Sequence, residues 1–132
     1  MNLFEKVKEL NLPLGQYCVV GSGPLFAHNL RESNDIDLLI TADLYKKLKE
    51  NGWQIKHYQN GNEYLTFDCF EANINFCWKN YQPDPKYQIE SAEIIKGIPF
   101  LRLDELLKWK REFRREKDLK DIVLIENYLK KV

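Results

Sequence analysis

The hydrophobic and polar positions divide this chain into short, well-marked elements. Residues 2–11 place Leu3, Val7 and Leu10 on one face, with Phe4 beside them, which predicts an amphipathic helix ended by Pro13 and Gly15. Tyr17-Cys18-Val19-Val20 is a short apolar run of the buried-strand type. Gly21-Ser22-Gly23 then allows a sharp turn, and Pro24 suits the first turn of a short helix continued by Leu25, Phe26 and Ala27. Residues 35–40 form the second predicted strand. Thr41 can cap a helix over 42–50 with Leu44 and Leu48 inward and lysines outward, and Asn51-Gly52 ends it. Trp53 to Tyr58 alternates like a half-buried strand. Asn60-Gly61 is a hairpin signal, with 64–69 as the return strand.

Phe70 to Trp78 is the next predicted strand. Phe70, Ala72, Ile74, Phe76 and Trp78 take one face; Glu71, Asn73, Asn75 and Cys77 take the other. No turn residue separates this run from the strand before it. Pro83-Asp84-Pro85 marks a loop, followed by a short helix over 86–92. A strand pair follows around Ile94-Ile95 and Ile98-Pro99-Phe100, with Gly97 at the turn. Leu103, Leu106, Leu107 and Phe113 define one helix, and Leu119, Ile122, Val123, Ile125 and Leu129 the last. Helices interspersed with short strands predict an α/β (α+β) architecture, a small mixed sheet flanked by helices. With 132 residues and no linker or repeat, the chain reads as one domain, 1–132, with the helices of 103–131 packed on it.

Composition narrows the partners. Hydrophobic residues make up 44% of the chain, enough for a packed core rather than disorder. The 20 basic and 20 acidic residues balance, so no global basic field points to nonspecific nucleic-acid binding. Cys18, Cys69 and Cys77 form neither a disulfide framework nor a zinc pattern and read as reduced, buried thiols of a cytoplasmic protein. The N-terminal MNLFEKVKELNLP has early charges and no long apolar core, so it does not read as a signal peptide. No run approaches the roughly 18 apolar residues of a membrane span.

The chemistry concentrates in Tyr17–Ile40. Asp35 and Asp37 sit at i and i+2 of a strand, on one face and about 7 Å apart. Like charges so placed repel unless a cation lies between them, and hard carboxylate oxygens suit Mg²⁺, which commonly shares its shell with substrate phosphates. A glycine turn opening a helix offers backbone N–H groups to a phosphate. Gly21, Ser22 and Gly23 are therefore candidate nucleotide-binding residues. Other glycine motifs fail here. A dinucleotide fingerprint needs glycine at Phe26, a P-loop needs Gly-Lys-Ser/Thr, and a hydrolase elbow around Ser22 needs glycines at Val20 and Pro24. Phosphate or ribose contact suits Ser22 better than nucleophilic attack.

Gly21-Ser22, twelve intervening residues and then Asp35-Ile36-Asp37 resembles the signature of the nucleotidyltransferase superfamily, the DNA polymerase β-like fold. The likeness is greatest to its small stand-alone members and to toxin–antitoxin nucleotidyltransferase domains. The stretches Leu106–Lys110 and Lys117–Ile122 resemble the end of that group. The resemblance implies Mg²⁺ held by Asp35 and Asp37, and transfer of a nucleoside monophosphate from an NTP, ATP foremost, to a hydroxyl of a protein, an RNA or a small molecule. It also implies a site-facing role for Lys110. A third acid is expected on a neighbouring strand. The matching stretch Ala72–Phe76 puts Asn75 there, and an amide can ligate Mg²⁺ but cannot act as a base near neutral pH. Glu71 shares that strand face but lies about 13 Å farther along, and Asp68 is the other acid close in sequence.

Two functions follow as expectations. One is an Mg²⁺-dependent nucleotidyltransferase with Asp35, Asp37 and Asn75 at its centre. The other is a nucleotidyltransferase-fold binding or antitoxin-like subunit that has lost turnover. Under either, a partner chain or a homodimer would supply what 132 residues leave out. His28 and His57 read as ordinary packing or surface residues. Trp53, Trp78 and Trp109 read as packing, with base stacking the alternative. The basic cluster Lys108, Lys110, Arg111, Arg114, Arg115 and Lys117 reads as a solvated face, with phosphate or RNA contact the alternative.

Overall fold

The computed structural model describes residues 2–77 and 80–131. Its elements, in order, are α1 (Leu3–Leu10), β1 (Tyr17–Val20), α2 (Gly23–Ala27), β2 (Ile36–Ile40), α3 (Ala42–Glu50), β3 (Gln54–His57), β4 (Glu63–Phe67), β5 (Phe70–Asn73), α4 (Pro85–Glu90), β6 (Glu93–Ile95), β7 (Ile98–Phe100), α5 (Leu103–Phe113) and α6 (Glu116–Lys131). Local chemistry sets many of the boundaries. The Asn2 side chain accepts from the Glu5 N–H and Thr41 from the Leu44 N–H, so α1 and α3 begin where their first free donors find an oxygen. Asp84 caps α4 with Pro85 at its first position. Lys96 and Gly97 both adopt positive φ, which matches the twist of a two-residue hairpin between β6 and β7.

The strands form one seven-stranded mixed sheet in the order β3-β4-β5-β2-β1-β7-β6. The pairs β2–β5 and β1–β7 are parallel and the others antiparallel. Side chains alternate between the faces. Tyr17, Val19, Ile36, Leu38, Ile40, Phe70 and Ala72 pack with Leu3, Val7, Leu44, Leu48 and Trp53, so α1 and α3 cover one face. Cys18, Val20 and Leu39 pack with Leu103, Leu106, Trp109 and Ile125, so α5 and α6 cover the other. The mixed α+β architecture expected from the pattern is the one observed.

Two strands differ from expectation. The predicted strand 70–78 ends at Asn73, and Ile74 to Cys77 leave the sheet; Trp78 lies outside the described residues. A tight turn at Asp68-Cys69 separates β4 from β5, although it contains neither glycine nor proline. Asp68 takes the left-handed conformation (φ 53°), one that a short polar side chain tolerates, and its carboxylate pairs with Lys6 Nζ at 2.9 Å. The strand expected to be half-buried, β3, is exposed on both faces, because it is the sheet's edge and only Trp53 before it reaches the core.

A buried ionic cluster joins α5 to α6. Lys110 Nζ contacts Asp121 Oδ2 at 2.8 Å and Asp118 Oδ1 at 3.2 Å, with all three side chains nearly inaccessible. Arg115 donates to Asp118 and Arg31 to Asp121, each from a partly exposed position. Burial alone would raise the Asp118 carboxyl, but hydrogen bonds from Arg115 and the Lys110 charge bring it below its ordinary value. Removing the central cation would leave two buried carboxylates sharing what the arginines still provide. Lys110→Ala is therefore expected to lower the unfolding free energy by about 3–5 kcal/mol, read by urea denaturation. Lys86→Ala, which breaks an exposed pair with Glu90, should change it by less than about 1 kcal/mol. Equal effects of the two changes would refute the structural role given to Lys110.

Candidate active site

The site forms where β1 ends. Gly21 has φ +66°, and a methyl group there would overlap the Asp37 carboxylate. Glycine is thus required twice, for the backbone conformation and for the close approach of the turn to the acid. Ser22 opens α2 without capping it. Its hydroxyl lies 2.7 Å from that of Ser33, which donates to the Asp35 carbonyl at 3.0 Å. A hydroxyl has one proton, so Ser22 is the donor in the first bond. Gly23 is buried, and a methyl there would run into Val19, so its role is to seat the turn on β1.

The sheet register sets the acids side by side. Val20 pairs with Asp37 across β1–β2, and Asp37 pairs with Glu71 across β2–β5. Opposed residues of neighbouring strands share a face and lie about 5 Å apart. The position beside Asp37, where the resemblance led us to expect Asn75, is therefore occupied by Glu71. Asn75 lies beyond the end of β5, with its amide oxygen accepting from the Cys77 N–H, although it still lines the cleft. Asp35, just before β2, is exposed and lines the same cleft.

This cleft measures about 1340 Å³ and takes in Gly21, Ser22, Asp35, Asp37 and Glu71 on its sheet side. That exceeds the ~300–1,000 Å³ typical of small-molecule sites and leaves room for a substrate and an acceptor together. Trp109, Phe76 and Phe113 form an aromatic wall, with Trp109 to Phe76 at 5.1 Å and Trp109 to Phe113 at 5.5 Å between ring centroids. Lys110 also lines it, with its ammonium engaged by Asp118 and Asp121. Lys117 is the cation that lines the cleft with no ion-pair partner among the described residues. Ser33, Tyr58 and Glu71 complete the local network. Sequence reading gave Ser33 and Tyr58 no role in the site and set Glu71 aside as too far along its strand, because the strand register that brings it opposite Asp37 is fixed only by the fold.

Burial, then the negative charges of Glu71 and Asp35, push the Asp37 carboxyl up to about 7, against a smaller opposing effect of Lys117 and Lys110. An acid so strained is a good ligand for a hard divalent cation, which would replace repulsion by attraction. Among the described residues no three His, Cys, Asp or Glu side chains converge on a ready-made metal cage. Mg²⁺ needs none, since it is usually held by one or two carboxylates together with water and phosphate oxygens. Asp37, with either Asp35 or Glu71, could supply one or two such carboxylates.

The thiols divide by position. Cys18 is buried and pushed up to about 12 by desolvation, Cys69 is half-buried, and Cys77 is exposed rather than buried as expected; all three are unpaired. His28 packs against Tyr128 and Glu93, outside the cleft. No helix among the described residues is long and apolar enough to cross a membrane. Comparisons with protein-family models, curated proteins and solved structures returned no match.

The raised Asp37 pKa carries a sign. Protonated Asp37 is preferred in the folded state, so this group's stabilising contribution is complete below its ordinary value near 4 and is lost as pH rises through about 7. Asp37→Asn removes that loss. In metal-free buffer the variant is expected to be more stable than the unmodified protein at pH 8, by on the order of 2–4 kcal/mol, with little advantage at pH 4. Thermal unfolding at the two pH values checks this, and equal differences at both would show that Asp37 is not a strained carboxylate.

Proposed function

We propose that this chain is an Mg²⁺-dependent nucleotidyltransferase of the polymerase β-like superfamily, moving a nucleoside monophosphate from an NTP, ATP foremost, to a hydroxyl. The observation that carries the reading is the single row of Gly21 turn, Asp37 and Glu71 at one wall of the cleft. The turn's N–H groups and the Ser22 hydroxyl would hold the terminal phosphates, with Lys117 offsetting their charge. Asp35 and Asp37 would hold Mg²⁺, which when bound supplies neutralisation of the triphosphate and of charge developing at phosphorus. Glu71 takes the role that Asn75 could not fill: its carboxylate can accept the proton of the attacking hydroxyl. The aromatic wall of Trp109, Phe76 and Phe113 offers a face on which a base can stack. Three unpaired thiols are in keeping with a reducing compartment such as the cytoplasm.

A second reading has its own observation. Glu71 accepts a hydrogen bond from Tyr58, and the acids form no closed metal group. A nucleotide-binding subunit without turnover, working with a partner chain or as an antitoxin-like protein, would have such a site. Turnover separates the two. ATP should bind with Mg²⁺ and at least about tenfold more weakly without it. The double variant Asp35→Asn, Asp37→Asn should lose that dependence, and calorimetry showing unchanged Mg·ATP affinity would remove the metal assignment. Glu71→Gln should bind nucleotide yet slow transfer by about 10²–10⁴-fold, followed with α-labelled NTPs and cell lysate. Binding with no transfer to any acceptor would favour the subunit.

A further inference from the structure

Tyr58 stands beside the acids in an arrangement that an ordinary packing tyrosine does not require. It follows β3, and its backbone is fixed in the hairpin turn, with its N–H donating to the Asn62 carbonyl at 2.9 Å and its carbonyl accepting from the Gly61 N–H at 2.9 Å. The ring stacks on Tyr64 with centroids 4.2 Å apart. The hydroxyl then reaches across the cleft side of the sheet, 3.2 Å from Glu71 Oε2, and accepts from Asn73 Nδ2 at 3.0 Å. Asn73 Nδ2 occupies one acceptor direction of the oxygen, and the phenolic proton has two acceptors in reach, Glu71 Oε2 at 3.2 Å and Asn73 Oδ1 at 3.3 Å, which leaves one lone pair. A hydroxyl with a carboxylate in reach of its proton and a free lone pair can act as a nucleophile.

Position in the row gives the electrophile. From one side of the site to the other the order is the Gly21-Ser22 turn, Asp37, Glu71 and the Tyr58 hydroxyl. An NTP whose terminal phosphates lie in the turn has its α-phosphorus on the acid side, toward Tyr58. We infer that Tyr58 is itself an acceptor, so that the chain attaches a nucleoside monophosphate to its own Tyr58 hydroxyl. This rests on the nucleotidyltransferase reading above. In the step, Tyr58 Oη forms a bond to the α-phosphorus, the bond from that phosphorus to the bridging oxygen of the β-phosphate breaks, and pyrophosphate leaves. The phenolic proton passes to the Glu71 carboxylate, and the product is a tyrosyl phosphodiester. Burial and the neighbouring Glu71 charge hold the phenol protonated beforehand, which is why a base is needed. Because nucleophile, base and phosphate turn belong to one chain, the reaction is unimolecular once the NTP is bound.

Tyr45 provides an internal comparison. It also lines the cleft, and its hydroxyl donates to Glu63 at 2.7 Å, but Glu63 is paired with Lys49 and stands outside the row of Asp37. Tyr45 should remain unmodified.

The test uses the purified full chain with ATP and Mg²⁺, read by intact mass and peptide mapping. The expected result is one adenylyl group per chain, on Tyr58, forming at a rate unchanged by dilution and lost in Tyr58→Phe, a variant whose folding is checked by its thermal transition. A measurement that needs no turnover accompanies it: Mg²⁺ with the α,β-methylene analogue of ATP should shield Tyr58 from nitration in the unmodified protein. Tight Mg·ATP binding with an unlabelled Tyr58, or a label on another residue, overturns this inference and leaves the nucleotidyltransferase reading in place. Nitration of Tyr58 unaffected by bound analogue overturns it as well. Absence of any nucleotide binding overturns both.

Discussion

Negative charge gathered on one patch of a sheet governs this structure. Asp37 and Glu71 face the same side from neighbouring strands, with Asp35 at the approach, and desolvation adds to their repulsion. A sheet built only for stability would place apolar side chains there, as Leu39 and Val20 do in adjacent positions. Folding tolerates the patch because the surrounding core is extensive and the cleft keeps one side of the acids near water. The strain is greatest with no cation bound and Asp37 ionised. Under the proposed function, a ligand carrying Mg²⁺ and phosphate would release it, and the stability cost would then be the source of the binding affinity.

The opposite solution appears a short distance away. Lys110, Asp118 and Asp121 are buried, but their charges are mutually satisfied, with Arg31 and Arg115 completing the bonds. That cluster fixes α5 against α6 and forms the cleft's far wall. Its cations are committed to carboxylates, whereas Lys117 lines the cleft with no ion-pair partner among the described residues. The two sets of acids thus differ in setting: Asp118 and Asp121 are buried with cations that the chain supplies, whereas Asp37 and Glu71 are half-buried and Asp35 is exposed. The Tyr58 hydroxyl belongs to the surroundings of the half-buried set, 3.2 Å from one oxygen of Glu71.

Much of this was legible in the chain itself. The Gly21 turn and Asp37 meet because both lie within one strand–turn–helix–strand unit, whose period, caps and glycine leave little freedom. The helices announced themselves through Thr41 and through apolar residues at helical spacing, while the caps at Asn2 and Asp84 emerged only in the structure. The third acid was not legible, and the reason is geometric. Alternation assigns Glu71, Asn73 and Asn75 to one face but does not say which of them stands opposite Asp37, since a shift of two residues preserves the face and moves the row by about 7 Å. The turn at Asp68-Cys69 settles that register, and it carries no glycine or proline to mark it. The commitment of Lys110 to Asp118 and Asp121, the bond from Ser22 to Ser33 and the reach of Tyr58 to Glu71 were likewise decided only by tertiary packing, because each joins side chains whose meeting depends on how separate elements dock.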